Sequence, residues 1–572
     1  MRHEAAYRAW CERATADTDL GAELASIARR PQEIEDRFYR ELSFGTGGLR
    51  GVIGAGPNRM NVYTVGKATQ GLCDYLKQRY PAPSVAIAYD SRNKSLLFAQ
   101  TAAGVFAANG IRVHLYGRLM PTPALSFAVR RLGCSGGVVI TASHNPARYN
   151  GYKVYGEDGC QITTEAAGAI LARIGAVHVF DGVSSLPFEQ GLASGRIRHI
   201  GEEVERAYLD AVCGQSLLGA DIGRDFAIVY TPLNGAGISC VPECLRRNGF
   251  TRIVIPEAQA EPDGDFPTCP FPNPEIREAL AVGLACAAEH RSDLLLATDP
   301  DCDRVGVAVR DGDGYALLNG NQIGVLLLDF ICKMRTRNRT MPGRPVAVKT
   351  IVTTPMAERV AARYGVELID VLTGFKFIGE QIGLLEKRGE ADRYIFGFEE
   401  SYGYLSGAFV RDKDAVNASL LICEMFAYYR HEEKKSLVQA LDNLYTEYGA
   451  YGERLESYTF EGAQGFRAME RAMRSLREAP PAQIGGVPVT RISDYQARVT
   501  ASADGTRQPI DLPQSDVLKL ALQDGSSAVI RPSGTEPKLK VYCFAQGKSP
   551  SDSEALLDEL ARYFGAWIKG FA

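Results

Sequence analysis

The chain has no CxxC pair among its thirteen cysteines, which run from Cys11 to Cys543. An odd number spread over so long a chain does not make the disulfide framework of a small secreted domain, so a reducing, cytoplasmic setting is expected. The strongest apolar run, Ile323 to Ile331, is interrupted by Asp329 and is far too short to span a bilayer. The opening MRHEAAYRAW has no apolar leader core, so neither export nor a membrane span is expected. Excess basic charge is missing too: a formal net charge of −4 excludes a chain that binds nucleic acid by bulk neutralisation, while leaving room for a local basic pocket around a small anion. The expected partner is a small molecule, with no nucleic acid and no membrane, and the expected assembly is a monomer or weak dimer.

What is present is ordinary globular material, 45% hydrophobic and 23% charged over 572 residues, enough for about four domains. Residues 1–42 read as two amphipathic helices separated near Pro31, with Leu24 and Ile27 in one and Ile34, Phe38 and Leu42 in the other. From Val85 the pattern is strand, helix, strand: VAIAYD, LLFAQTAAGVFAANG, IRVHLYG, then GVVITAS. The same grammar returns in FAIVYTP, TRIVIPE and DLLLATD, and again in VAVKTIVTTP, VELIDVLTG and YIFGFEES. Three such units predict doubly wound parallel sheets and an internal repeat. After helical stretches from about Leu437, VPVTRISDY, QARVTASADG, DVLKLALQDGSSAVIRPSG and KLKVYCFAQ predict an α+β module with an antiparallel sheet.

Four stretches carry chemistry. In VVITASHNPARYNGYK a branched strand ends in Thr141, Ser143, His144 and Asn145 before Pro146. Ligands in open α/β sheets gather outside the carboxyl ends of strands, although a polar turn or helix cap accounts for the same residues. In ATDPDCDR, Asp299, Asp301 and Asp303 alternate just beyond a buried strand. Carboxylates this close repel unless compensated, and an oxygen-only set suits a hard cation such as Mg²⁺. It is not an EF-hand, because Arg304 and Arg310 stand where Gly and Glu are required. GFEESYG supplies Glu399, Glu400 and Ser401, suited to sugar hydroxyls or to an acidic helix start. RPSGTEP offers Arg531, Ser533, Gly534 and Thr535, an anion-binding turn or a plain one. SFGTGGLRG places Arg50 among glycines. Gly547-Lys548-Ser549 is no P-loop, because Tyr542 occupies the position of its first glycine.

TASHNP, ATDPDCDR, GFEESYG and RPSGTEP, in that order across nearly the whole chain, resemble the α-D-phosphohexomutase superfamily, and within it the bacterial members of the phosphoglucomutase/phosphomannomutase family. The resemblance implies four domains around a central cleft: three related mixed α/β units and a C-terminal α+β phosphate-binding domain. The corresponding division is a helical extension at 1–42, a phosphoserine-loop domain at 43–205, a metal-loop domain at 206–318, a sugar-loop domain at 319–436 and the phosphate-binding domain at 437–572. It implies that Ser143 carries a transferable phosphoryl group, that Asp299, Asp301 and Asp303 hold Mg²⁺ with a phosphoserine oxygen, and that Arg50, His144, Lys153 and Arg304 line the reacting centre, Lys153 moving the proton. Thr373, Gly374 and Lys376 belong to another cleft loop, Glu399 and Ser401 grip the sugar, and Arg531, Ser533, Gly534 and Thr535 hold the non-reacting phosphate. The implied reaction interconverts glucose 1-phosphate and glucose 6-phosphate through glucose 1,6-bisphosphate. Tyr402 in place of Phe and the long helical extension resemble the branch that also holds phosphopentomutases, so mannose and pentose phosphates stand as alternatives. A non-catalytic sugar-phosphate sensor would lack the nucleophile, and a haloacid-dehalogenase-like phosphatase would use an aspartyl nucleophile and release phosphate.

Overall fold

The computed structural model describes residues 2–45, 47–460, 462–532 and 538–571. The amino-terminal extension holds three helices, Arg2–Arg13, Thr18–Ser26 and Pro31–Phe38, where the sequence predicts two. The extra break lies at Asp17, whose carboxylate caps the second helix by accepting from the Asp19 amide at 3.1 Å. Trp10, Leu24, Ile34 and Phe38 form a small core there. Among the described residues no helix is long and apolar enough to cross a membrane.

The repeat expected from the sequence is explicit in the strand topology. In the first unit Ser84–Tyr89 pairs in parallel with Arg112–Tyr116 on one side and Gly136–Ile140 on the other, and Tyr149–Gly156 then pairs antiparallel with Gly136–Ile140. The second unit repeats this with Ile228–Thr231 between Ile253–Val254 and Leu294–Thr298, followed by antiparallel Val305–Asp311. The third places Val346–Thr350 between Glu367–Val371 and Tyr394–Glu399, followed by antiparallel Gly403–Leu405. The sheets are therefore mixed, correcting the parallel pattern expected from strand and helix alternation. The fourth strand escapes that pattern because a short hairpin, not a helix, connects it. The first and third strands in each unit are covered on both faces, which is why runs such as Gly136–Ile140, Leu294–Thr298 and Tyr394–Glu399 are wholly buried, whereas the second strand is partly exposed.

The last unit is an antiparallel sheet flanked by the helices Gly462–Glu478 and Pro550–Lys569. Its edge strand Ala450–Thr459 pairs with Lys538–Gly547 along ten positions, in a region read as helical from sequence. The helix Leu437–Tyr448, grouped by sequence with this last module, packs through Leu437, Leu441 and Leu444 on the third unit's core and lies against the helices Gly320–Arg337 and Met356–Arg363. Ile351, Val352 and Leu372 of the third unit meet Val517, Val529, Tyr542 and Phe544 of the last across an apolar seam, which sets the last sheet beside the third unit's loops.

Candidate active site

The hairpin between the third and fourth strands occupies the same place in all three units, at the carboxyl end of a buried strand. It contains Ser143 in the first unit, Asp299, Asp301 and Asp303 in the second, and Glu400 to Tyr402 in the third. Each hairpin also holds one non-glycine residue in the left-handed region: Ser143 at φ 51°, Cys302 at 54° and Tyr402 at 65°. Such a conformation costs roughly 1–2 kcal/mol and persists where surrounding contacts over-determine it. The fold thus presents three strained turns from three repeats at one cleft.

The first two turns touch. Ser143, only 3% exposed, donates its hydroxyl to Asp299 Oδ2 at 2.7 Å and lies 3.2 Å from His144 Nδ1. Its amide donates to Thr141 Oγ1 at 2.8 Å. One ligand oxygen from each of Asp299, Asp301 and Asp303 falls within 4.8 Å of the others. Asp299 Oδ1 accepts the amides of Asp303 and Arg304, both at 3.0 Å. Asp301 Oδ2 accepts from Lys153 Nζ at 2.7 Å and from Thr122 Oγ1 at 2.9 Å. Oδ1 of Asp301 and Oδ1 of Asp303 are buried without any hydrogen-bond donor. Two buried carboxylate oxygens without hydrogen-bond donors in one all-oxygen cluster fit a hard divalent cation.

Cations close in from each unit. Lys153 arrives on the first unit's antiparallel strand and also reaches Asp303 at 3.3 Å. Lys413, from the third unit, sits 3.2 Å from Asp303 Oδ2 and 3.3 Å from Asp412, which accepts from Tyr155 at 2.6 Å. Arg304 pairs with Glu275, and Arg50, paired with Gly151 across the sheet, donates to Asn145 Oδ1 at 3.3 Å. Burial raises the carboxyl of Asp299 well above its ordinary range, helped by the two neighbouring carboxylates, whereas Lys153 outweighs burial at Asp301 and holds it low. Burial also works against charge on Lys153, but Asp301 and Asp303 outweigh it and raise its pKa. Asp301 and Asp303 thus hold Lys153 as an ammonium. His144 is held neutral, first by burial and then by Arg304 and Arg50.

The remaining predicted residues lie on the third and last units. Glu399 ends its strand buried; burial raises its carboxyl, while Lys413 and Arg304 pull in the opposite direction. Burial and Glu399 push the neighbouring Glu400 up to about 8. Ser401 is half-buried beside it. Thr373 Oγ1 is buried without a partner, Gly374 adopts φ 120° before the helix Phe375–Lys387, and Lys376 stands in that helix's first turn, 5.1 Å from the Phe377 ring. Arg531 bonds the hydroxyl of Tyr542, which lies in the field of Glu400 and Glu275. Ser533, Gly534 and Thr535 lie outside the described residues.

Comparison with known proteins agrees with this geometry. The phosphoglucomutase/phosphomannomutase models for alpha/beta/alpha domains I, II and III match residues 41–178, 206–312 and 319–448, and that for the C-terminal domain matches 486–562. The chain is 37% identical over 545 residues to a phosphoglucomutase of Staphylococcus aureus, covering 92% of this chain and 95% of that one. The chain belongs to the phosphoglucomutase/phosphomannomutase family. It is thus an enzyme of the isomerase class, an intramolecular phosphotransferase. A phosphoglucomutase of Staphylococcus epidermidis is 38% identical, covering 89% of this chain and 92% of its own. The structure of a phosphoglucomutase/phosphomannomutase family protein from Burkholderia thailandensis superposes with a TM-score of 0.65 at 20% identity, over 92% of this chain and 97% of the other.

The residues that sequence reasoning missed are those that hold the Ser143 hairpin. Arg92 and Asp90, with side chains fully buried, pair at 3.4 Å behind the Ser143 hairpin. The Arg92 guanidinium donates to the carbonyls of Ser143 and Asn145, and to those of Pro146 at 3.0 Å and Tyr149 at 3.1 Å. Phe266 of the second unit lies 5.0 Å from it. One side chain thus pins four carbonyls around the strained serine. Arg92→Met is expected to lower kcat by about a hundredfold through misplacement of Ser143, with KM for hexose phosphate changed by less than about threefold. Lysine should not rescue, because it lacks the fork. Steady-state kinetics on the three forms check this; an equal rise of KM alone would assign Arg92 to substrate binding.

Proposed function

We propose that the chain interconverts glucose 1-phosphate and glucose 6-phosphate, with Ser143 carrying the transferable phosphoryl group and glucose 1,6-bisphosphate as intermediate and activator. The observation that carries this reading is the placement of the Ser143 hydroxyl against the Asp299-Asp301-Asp303 cluster. Phosphorylated Ser143 gives its phosphoryl group to the free hydroxyl of the bound hexose phosphate; the bisphosphate turns over in the cleft and returns its other phosphoryl group to Ser143. Asp299, Asp301 and Asp303, with an oxygen of phosphorylated Ser143, would hold Mg²⁺, which when bound neutralises charge on phosphoryl oxygens. Arg50 and Arg304 supply positive charge at the transferring group, and Lys153 moves the proton, giving one to the oxygen that loses the phosphoryl group and being restored by the proton that the attacking hydroxyl gives up. Glu399 and Ser401, with Thr373, Gly374 and Lys376, contact sugar hydroxyls common to both orientations. Arg531, with Ser533, Gly534 and Thr535, takes the distal phosphate.

A pentose reading rests on Tyr402, which holds the left-handed turn of the sugar loop. The phosphorylated enzyme, mixed in turn with glucose, mannose and ribose 1-phosphates under a trace of the matching bisphosphate, separates the readings. Fastest isomerisation of the glucose ester is expected. Faster turnover of ribose 1-phosphate would move the assignment to phosphopentomutase, and inorganic phosphate released without isomer would overturn the mutase reading.

A further inference from the structure

Two thiols of the second unit face each other between neighbouring helices. Cys213 ends the helix Glu202–Cys213 and Cys244 lies on Val241–Arg247, their sulfurs 4.0 Å apart. We propose that Cys213 and Cys244 form a reversible dithiol that a hydroperoxide converts to an intramolecular disulfide, with Cys213 attacking and Cys244 resolving. A disulfide needs its sulfurs about 2 Å apart, so closure asks the two sulfurs to approach by roughly the same distance again.

The two positions differ as the two roles require. Cys213 is half-buried and reachable, whereas Cys244 is buried. Asn248 Nδ2 donates to Cys213 Sγ at 3.2 Å and to the Cys244 carbonyl at 2.8 Å, holding the pair in register. Donation from Cys244 and Asn248, with Arg247 nearby, brings the Cys213 thiol down to about 6 against burial and Asp210. The Cys244 thiol is raised by its bond to Cys213 and by burial. A half-exposed, thiolate-favouring cysteine beside a buried partner is the arrangement of reversible redox pairs in reducing compartments.

The chemistry balances. The Cys213 thiolate attacks one peroxide oxygen, forming an S–O bond and breaking O–O; the departing alkoxide or hydroxide takes a proton. Cys244, losing its proton, then attacks the Cys213 sulfur, forming S–S and expelling hydroxide, which leaves with that proton as water. The dithiol gives up two electrons, and the hydroperoxide becomes an alcohol, or water, plus one water. The new bond ties the helix Glu202–Cys213, which also touches Thr122–Arg131 of the first unit and Ala415–Tyr428 of the third, to the neighbouring helix Val241–Arg247.

The test treats the intact enzyme with graded hydrogen peroxide, blocks remaining thiols by alkylation and maps peptides without reductant. A Cys213–Cys244 cross-linked peptide should appear before any other disulfide and vanish with dithiothreitol. In Cys244→Ser the cross-link should be lost and dimedone should label Cys213. In untreated enzyme, alkylation of Cys213 should be half-maximal near pH 6, against about 8.5 for an ordinary thiol. If both cysteines remain alkylatable while exposed Cys11 oxidises, or if Cys213 stops at the dimedone-reactive state in wild-type enzyme, the proposal is wrong. Both readings come from the unmodified chain, so a poorly folding variant does not shield it.

Discussion

Ser143→Ala is expected to lower mutase kcat by about ten-thousandfold or more, because removing a nucleophile leaves only binding and electrostatics to act on the substrate. The fold should survive. The side chain is small and 3% exposed, its lost donation to Asp299 is worth about 1–3 kcal/mol, and the backbone is held from behind by Arg92. The strained φ of 51° gives a sharper control. Alanine keeps that strain, whereas glycine adopts the same turn without a Cβ. Ser143→Gly should therefore be as inactive as Ser143→Ala yet melt at the same temperature or higher. Labelled glucose 1,6-bisphosphate should phosphorylate the wild-type peptide containing Ser143 and neither variant. An alanine variant that keeps turnover within tenfold of wild type, or that still takes label elsewhere, would remove Ser143 from the centre of the reaction.

The candidate site was legible in sequence where each repeat packs its polar residues into one hairpin. ATDPDCDR and TASHNP each lie in a single turn beyond a buried strand, so residue type and strand position together pointed to them. Arg92 was illegible for the opposite reason: its partners are main-chain carbonyls from Ser143 to Tyr149, and carbonyls leave no mark on a sequence. Lys413 reaches Asp303 from a loop of another unit, a proximity created only by domain packing. The proline-rich stretch EPDGDFPTCPFPNPE did carry a signal, since long irregular connections in compact domains are often functional; it delivers Phe266 to Arg92 and Glu275 to Arg304. The fold followed the same division. Buried strands declared themselves by branched runs, whereas Ala450–Thr459, half-exposed and interrupted by Glu453, Arg454 and Glu456, takes its strand conformation from pairing with Lys538–Gly547 and not from its own pattern.

Chelation of divalent cations is expected to cost the wild-type enzyme about a hundredfold to ten-thousandfold in turnover, the equivalent of several kcal/mol of charge stabilisation. Asp301→Asn should reproduce most of that loss at ordinary Mg²⁺ concentration. The substitution keeps the shape of the side chain but removes a charged ligand oxygen and leaves Lys153 with Asp303 alone, at 3.3 Å. A purely structural role for Asp301 would also lower activity, so the deciding readout is thermal. A cation that binds only the folded chain raises its melting temperature by mass action, and the wild type, whose buried Asp301 Oδ1 and Asp303 Oδ1 lack donors, should gain stability as Mg²⁺ is titrated. Asp301→Asn should show that gain only at concentrations at least about tenfold higher, since roughly 1.4 kcal/mol of lost ligand interaction already produces that factor. Asp311→Asn, an exposed carboxylate at the end of the following strand, should titrate as wild type does. An unchanged Mg²⁺ midpoint in Asp301→Asn would place the cation elsewhere and leave the three aspartates as partners of Lys153, Lys413 and Arg304 alone.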